Sequence, residues 1–143
     1  MTDSRSAHEQ LARLEQGCSL AEALAFYDPL APVAVETMVG AWRGAGIPTG
    51  GPFDGLLENL GWYGKRFDSA DEVHPLVFRR GRAGRARDRL VSVDPGRVPL
   101  GLAARHGQRF TGRATAVAFR MLLPLLATRR PRARLRPVEY RGV

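Results

Sequence analysis

The chain has 143 residues, 44% of them hydrophobic and 25% charged, a size and composition suited to one folded domain and not to a disordered one. A single cysteine excludes a disulfide framework and a multi-cysteine zinc site, and no apolar run approaches the roughly 20 residues of a membrane-spanning helix. The net charge of +8 is divided unevenly: residues 1–72 carry −6 and residues 73–143 carry +14, which points to an anionic partner or to the acidic part packing on the basic part.

From the N-terminus, Ser6 with Glu9 reads as a capping box opening a helix that Gly17 closes. Ser19 with Glu22 reads as a second box, opening a helix that ends at Asp28-Pro29. Residues 32–39 make a helical turn, and Gly40 to Gly46 extends as a strand through Trp42. Pro48-Thr49-Gly50-Gly51-Pro52 is a loop, and Asp54 caps a short helix holding Leu56, Leu57 and Leu60. Lys65–Phe67, Leu76–Arg79 and Leu90–Val93 read as short strands.

Residues 113–127 form an apolar helix that Pro124 kinks or divides. An apolar segment followed by Arg129-Arg130-Pro131-Arg132 has the composition of an interfacial membrane helix. Its short length and central Arg120 favour a helix facing the core. Leu135–Tyr140 alternates in part and reads as a final strand.

Lys65 is the only lysine, so every other cation outside histidine is arginine, the mark of a GC-rich coding bias. The run Arg79–Arg87 has no interleaved aromatics on which bases would stack. Nucleic-acid binding through the arginine-rich second half is therefore a secondary reading. The start of the chain has no secretory signal pattern, which places the expectation in the cytoplasm. Gly44-Ala45-Gly46 misses the dinucleotide-binding spacing, Gly61-Trp62-Tyr63-Gly64-Lys65 misses the phosphate-loop spacing, and His8, His74 and His106 form no metal-ligand pair.

The informative block is Gly40-Ala41-Trp42-Arg43-Gly44, Pro48-Thr49-Gly50, Asp54-Gly55-Leu56-Leu57-Glu58, Trp62-Tyr63-Gly64-Lys65 and His74-Pro75-Leu76, which holds both tryptophans. Five submotifs in this order resemble the GXWXG-domain proteins, an uncharacterised bacterial family. The resemblance extends from about Leu20 to the tail Leu135–Gly142. It implies a second module beyond that junction, so that the 143 residues would be the N-terminal part of a longer design. The family's histidine after Pro-Thr-Gly is replaced here by Gly51.

The pattern Gly40-Ala41-Trp42-Arg43-Gly44-Ala45-Gly46 is similar, more weakly, to the opening of nitrobindin-like, lipocalin-like barrels. That resemblance implies a pocket for a hydrophobic ligand and leaves heme open as a cofactor, with His106 the candidate axial ligand. In such barrels the tryptophan plugs the floor, which is the role expected of Trp42.

These readings converge on an α+β protein. A helical segment, 1–31, precedes a domain, 32–143, in which short helices pack on a small lipocalin-like antiparallel sheet or barrel. The sheet is incomplete if its partner strands lie further along, and Leu135–Tyr140 is then an uncovered edge for homo-oligomer pairing. The expected function is binding of a small hydrophobic or amphipathic molecule by Trp42, Arg43, Trp62, Tyr63 and Lys65. Lys65 either meets a ligand carboxylate or pairs with Glu58. The alternative is a lyase, isomerase or cyclase using Glu58, Asp54 or His74 as acid or base.

Overall fold

The computed structural model describes residues 4–80, 89–98, 112–130 and 133–140. Most of the arginine run 79–87, and His106, lie outside them. Helix α1 (Ser4–Leu14) begins two residues before the predicted box, so Ser6 lies within its first turn and does not cap it. Helix α2 (Leu20–Tyr27) starts as expected, with the Ser19 side chain accepting from Glu22 N and the Glu22 carboxylate accepting from Ser19 N. The Ser19 hydroxyl, which also donates to the Glu22 carboxylate at 2.7 Å, and then the Ser19 N–H hold that carboxyl below its ordinary range. Asp28 caps the helix while itself still in αR, and Pro29, which has no N–H to donate, cannot carry the ladder further.

A 3-10 turn (Val35–Met38) leads into strand β1 (Gly40–Arg43), shorter than predicted. Then come a one-turn helix α3 (Leu56–Asn59), strand β2 (Trp62–Phe67), strand β3 (Val73–Arg80), strand β4 (Arg89–Val93) and helix α4 (Arg113–Leu126). Pro124 does not divide α4. It sits in the last turn, where the helix is about to end in any case.

The strands form an open antiparallel sheet in the order β1-β2-β3-β4, each neighbour following the last in sequence. The fold is α+β, and the expected barrel does not close among the described residues. Helix α4 lies against the sheet through Phe78, Val93 and Leu123, each 1% exposed, with Leu76, Val91, Phe119 and Leu126 packed around them. Thr128 N donates to Ser92 O at 2.8 Å, and a bridge between Val93 and Ala127 fixes the end of α4 on β4.

The tail corrects the expectation of a last strand. Only Ala133 makes a bridge, antiparallel to Val73, and 134–140 has no regular structure. Pro137 lacks an N–H, the Leu135 N–H is used by Ala70 O, and Arg134 and Arg136 reach Asp71, so no strand edge is offered there. Arg136 holds the Asp71 carboxyl below its ordinary value. Further on, Tyr140 O–H donates to Asp28 at 2.9 Å and its ring meets Tyr27 edge-on, tying the tail to the end of α2.

Candidate functional site

Two glycines join the tryptophan motifs into one unit. The β1–β2 register sets Trp42 opposite Lys65 and Arg43 opposite Gly64. A Cβ on Gly64 would stand 2.0 Å from Trp42 O and 2.6 Å from Gly44 N, so only glycine lets β1 approach this closely. A Cβ on Gly44 would stand 2.2 Å from the six-membered ring of Trp62. Gly44 is therefore the bed on which the Trp62 indole lies. The glycine of Gly-x-Trp-x-Gly makes room for the tryptophan of the later motif, and the glycine of that later motif makes room for the backbone of the first.

This unit frames a cleft of about 480 Å³. Trp42, Trp62, Phe67, Pro75 and Leu135 give it apolar walls, and Arg43, Lys65 and Arg134 give it cations. The tail forms one wall and is held there by Val73 N donating to Ala133 O at 3.2 Å and Leu135 N donating to Ala70 O at 2.7 Å. Trp42 corrects the expectation of a buried plug. It is 44% exposed, and its indole N–H donates to Met38 O at 2.7 Å, so it walls the cleft and does not floor a barrel. The Trp62 indole N–H is buried and has no hydrogen-bond partner among the described residues.

Of the predicted ligand-binding residues, the cleft gathers Trp42, Arg43, Trp62 and Lys65. It does not gather Tyr63, whose ring instead lies 5.2 Å beneath the Arg79 guanidinium. Lys65 makes no ion pair among the described residues, and the alternative pairing with Glu58 does not form. Phe67, Pro75 and Leu135 join the site unannounced, because only the strand register and the tail crossing bring them there.

Asp54 and Glu58 lie on a different groove, of about 500 Å³, which Trp62 separates from the first. Asp54 does not cap α3: the cap position is Gly55, in a left-handed conformation at φ 71°. Its Oδ2 instead accepts from the backbone N–H groups of Thr49, Gly50 and Gly51 at 2.9, 2.8 and 2.9 Å, cradled by the loop. Glu58 Oε1 accepts from Gly46 N at 2.9 Å. Both carboxylates thus anchor backbone. Asp54→Ala strands three amide donors, and its expected cost is about 2 kcal/mol, read as a lowered urea midpoint with an unchanged denaturant slope.

His74 is 2% exposed and faces neither groove. Arg66 Nη2 lies 2.9 Å from its Nε2 and Asp68 Oδ2 lies 3.2 Å away, while Arg66 and Asp68 pair with each other at 2.9 Å. An arginine donor makes Nε2 the acceptor of a neutral ring, which leaves the proton on Nδ1, buried with no partner among the described residues. Burial first, and Arg66 second, push the imidazole below its ordinary 6.5, against the pull of Asp68. The unfolded chain then binds more protons than the folded one at mildly acid pH. Stability is whole above the ordinary value and is lost as pH falls through and below it. Urea midpoints from about pH 8 to about pH 5 are expected to fall, and His74→Gln is expected to flatten that fall.

No histidine lines the cleft among the described residues. Nor is there a group of three His, Cys, Asp or Glu side chains that would hold a metal ion among them.

Helices flanking an open antiparallel sheet, with a tryptophan pair interlocked through glycines, define the structural class. The family model described as GXWXG protein matches residues 25–82, the stretch from the second half of α2 through β3. A solved structure, "Crystal structure of protein from Thermomonospora curvata", is 35% identical with a TM-score of 0.49, the match covering 62% of this chain and 59% of that one. The chain thus spans rather more than half of that relative. No curated protein matches the sequence. Among the described residues no helix is long and apolar enough to cross a membrane.

Proposed function

We propose that this domain binds a small amphipathic molecule with an apolar body and an anionic end. The observation that carries the reading is the cleft between Trp42 and Trp62, apolar along its length, with the Lys65 ammonium at its wall and unpaired among the described residues. The apolar body lies along the indoles and Phe67. The anion meets Lys65, which faces Trp42 across the strand pair, with Arg43 also on the cleft wall. An acid–base enzyme is less well supported. Asp54 and Glu58 already accept from backbone amides, and His74 is enclosed by Arg66 and Asp68.

Decanoate and decanol, titrated against tryptophan fluorescence, test this reading. Lys65→Gln is expected to weaken decanoate about tenfold, the worth of one charge-assisted contact, and to leave decanol unchanged. An equal effect on both ligands, or no saturable binding of either, contradicts it.

A further inference from the structure

Helix α4 is apolar on both sides, and among the described residues only one side is packed. Ala116 and Leu123 are buried against the sheet, with Phe119 and Leu126 beside them. Val117, Met121 and Leu125, spaced four apart, form an outward stripe with Leu122 next to it. Met121 is 76% and Leu125 73% exposed. A soluble helix ordinarily turns polar residues outward, so this face is built for contact.

The charges around it say with what. Arg113 and Arg120 are seven residues apart, on one flank of the stripe, and Arg129 and Arg130 follow the helix. All four are exposed and make no ion pair among the described residues. Arg97 is exposed at the C-terminal end of α4, where its Nη1 donates to Leu125 O at 3.3 Å. Between Asp94 and Glu139 the sequence holds ten arginines and no acidic residue. Two copies meeting through α4 would bring these cations together with no carboxylate between them. A polyanion without an apolar layer would leave Met121 and Leu125 in water.

From this complementarity of apolar stripe and cationic flank we infer that α4 is a membrane-surface docking helix. It lies parallel to an anionic lipid leaflet, with Val117, Met121 and Leu125 at the acyl boundary and the arginines among the phosphates. At 14 residues, with its inner face on the sheet, it rests on the leaflet and does not cross it. This docking is independent of ligand binding in the cleft, which lies against β1, β2 and the tail.

The test is flotation of the whole chain with vesicles of equal parts phosphatidylcholine and phosphatidylglycerol, beside vesicles of phosphatidylcholine alone. The protein is expected to float with the anionic vesicles and not with the neutral ones, and to be released as salt rises. The double variant Met121→Asp/Leu125→Asp, at positions too exposed to disturb the core, is expected to lower the bound fraction about tenfold or more. As a second readout on a neutral substitution, Met121→Cys in a Cys18→Ser background carries an environment-sensitive dye, whose emission is expected to shift to the blue on anionic vesicles only. No flotation, equal flotation with neutral vesicles, retention unchanged in the double variant, or an unshifted dye overturns the inference. So does a wild-type dimer, measured without lipid, that the double variant dissociates, since a second copy then covers the face. Tight retention on RNA by both wild type and double variant, with no vesicle binding, assigns the arginines to nucleic acid instead.

Discussion

Gly64→Ala is expected to remove most of the stability of the fold, at a cost of about 4 kcal/mol or more against a total of about 5–15 kcal/mol for a domain. The added Cβ falls on backbone, 2.0 Å from Trp42 O and 2.6 Å from Gly44 N, and the residue's φ of 148° is itself one that L side chains rarely adopt. Neither contact yields by turning a side chain. Relief requires β1 to leave β2, which gives up the four register pairs of that ladder and the Gly44 bed beneath Trp62. Two further substitutions set the scale. Gly44→Ala meets a ring that can tilt and is expected to cost about 1–3 kcal/mol. Gly55→Ala has a φ of 71° but no atom within 4 Å of its new Cβ, and about 1 kcal/mol is expected. Urea midpoints in the order Gly55→Ala, Gly44→Ala, Gly64→Ala, from highest to lowest, check the account. A Gly64→Ala protein within about 1 kcal/mol of wild type would mean that the two motifs do not interlock.

The second large effect belongs to the core under α4, against which Trp62 also packs. Phe78→Ala is expected to cost about 3–5 kcal/mol, the range for truncating a fully buried aromatic side chain. The Phe78 ring is 1% exposed and stacks at a tilt on Phe119 with centroids 4.8 Å apart, while Leu123 and Val93 close the cluster. Because α4 packs its apolar side chains on the sheet through this cluster, with the Val93–Ala127 bridge holding only its end, the cavity loosens the helix as well as the strand. Hydrogen exchange of α4 amides is expected to accelerate together with the loss in urea midpoint. Met121→Ala, on the outward side of the same helix, is expected to change stability by no more than about 0.5 kcal/mol. Equal losses from the two truncations would show that α4 packs differently.

What the sequence could disclose followed the range of the interaction. The Ser19–Glu22 box is complete within three residues, and α2 forms where the box places it. The existence of β2, β3 and β4 was legible from short β-prone runs bounded by turns, though each began earlier than the runs suggested. Asp54 illustrates ambiguity at equal range: an aspartate next to a short helix can serve that helix or the preceding loop. Here the loop, turned at Gly50 with φ 83°, presents the amides of Thr49, Gly50 and Gly51 to it. Leu135–Tyr140 alternated like a strand, but alternation does not supply a partner, and the Leu135 N–H and neighbouring arginines were taken by Ala70 and Asp71.

Register was the step that local pattern did not supply. Trp42 and Lys65 belong to different motifs, and that they face each other follows from the β1–β2 ladder, as does the pairing of Arg66 with His74 across β2 and β3. The irregularities at Gly64 in the β2–β3 ladder shift that register by an amount no period-two count gives. For α4, periodicity showed a strongly apolar helix without showing that half of its apolar surface faces outward. Arg120, central in sequence, sits on the flank of that surface beside Arg113.

The central claim is that Trp42, Trp62 and Lys65 enclose one binding cleft for an amphipathic anion. The chain has only two tryptophans, so a nitrogen–proton correlation spectrum shows just two indole signals, one from each wall. On titration with decanoate the account predicts a saturable shift of the Trp42 and Trp62 indole signals, as the apolar chain lies along both rings, with the Lys65 and Phe67 amides moving at the same ligand concentration. Shifts confined to Gly46, Thr49–Gly51 and the Glu58 turn, with both indole signals unmoved, would place binding in the other groove and contradict it.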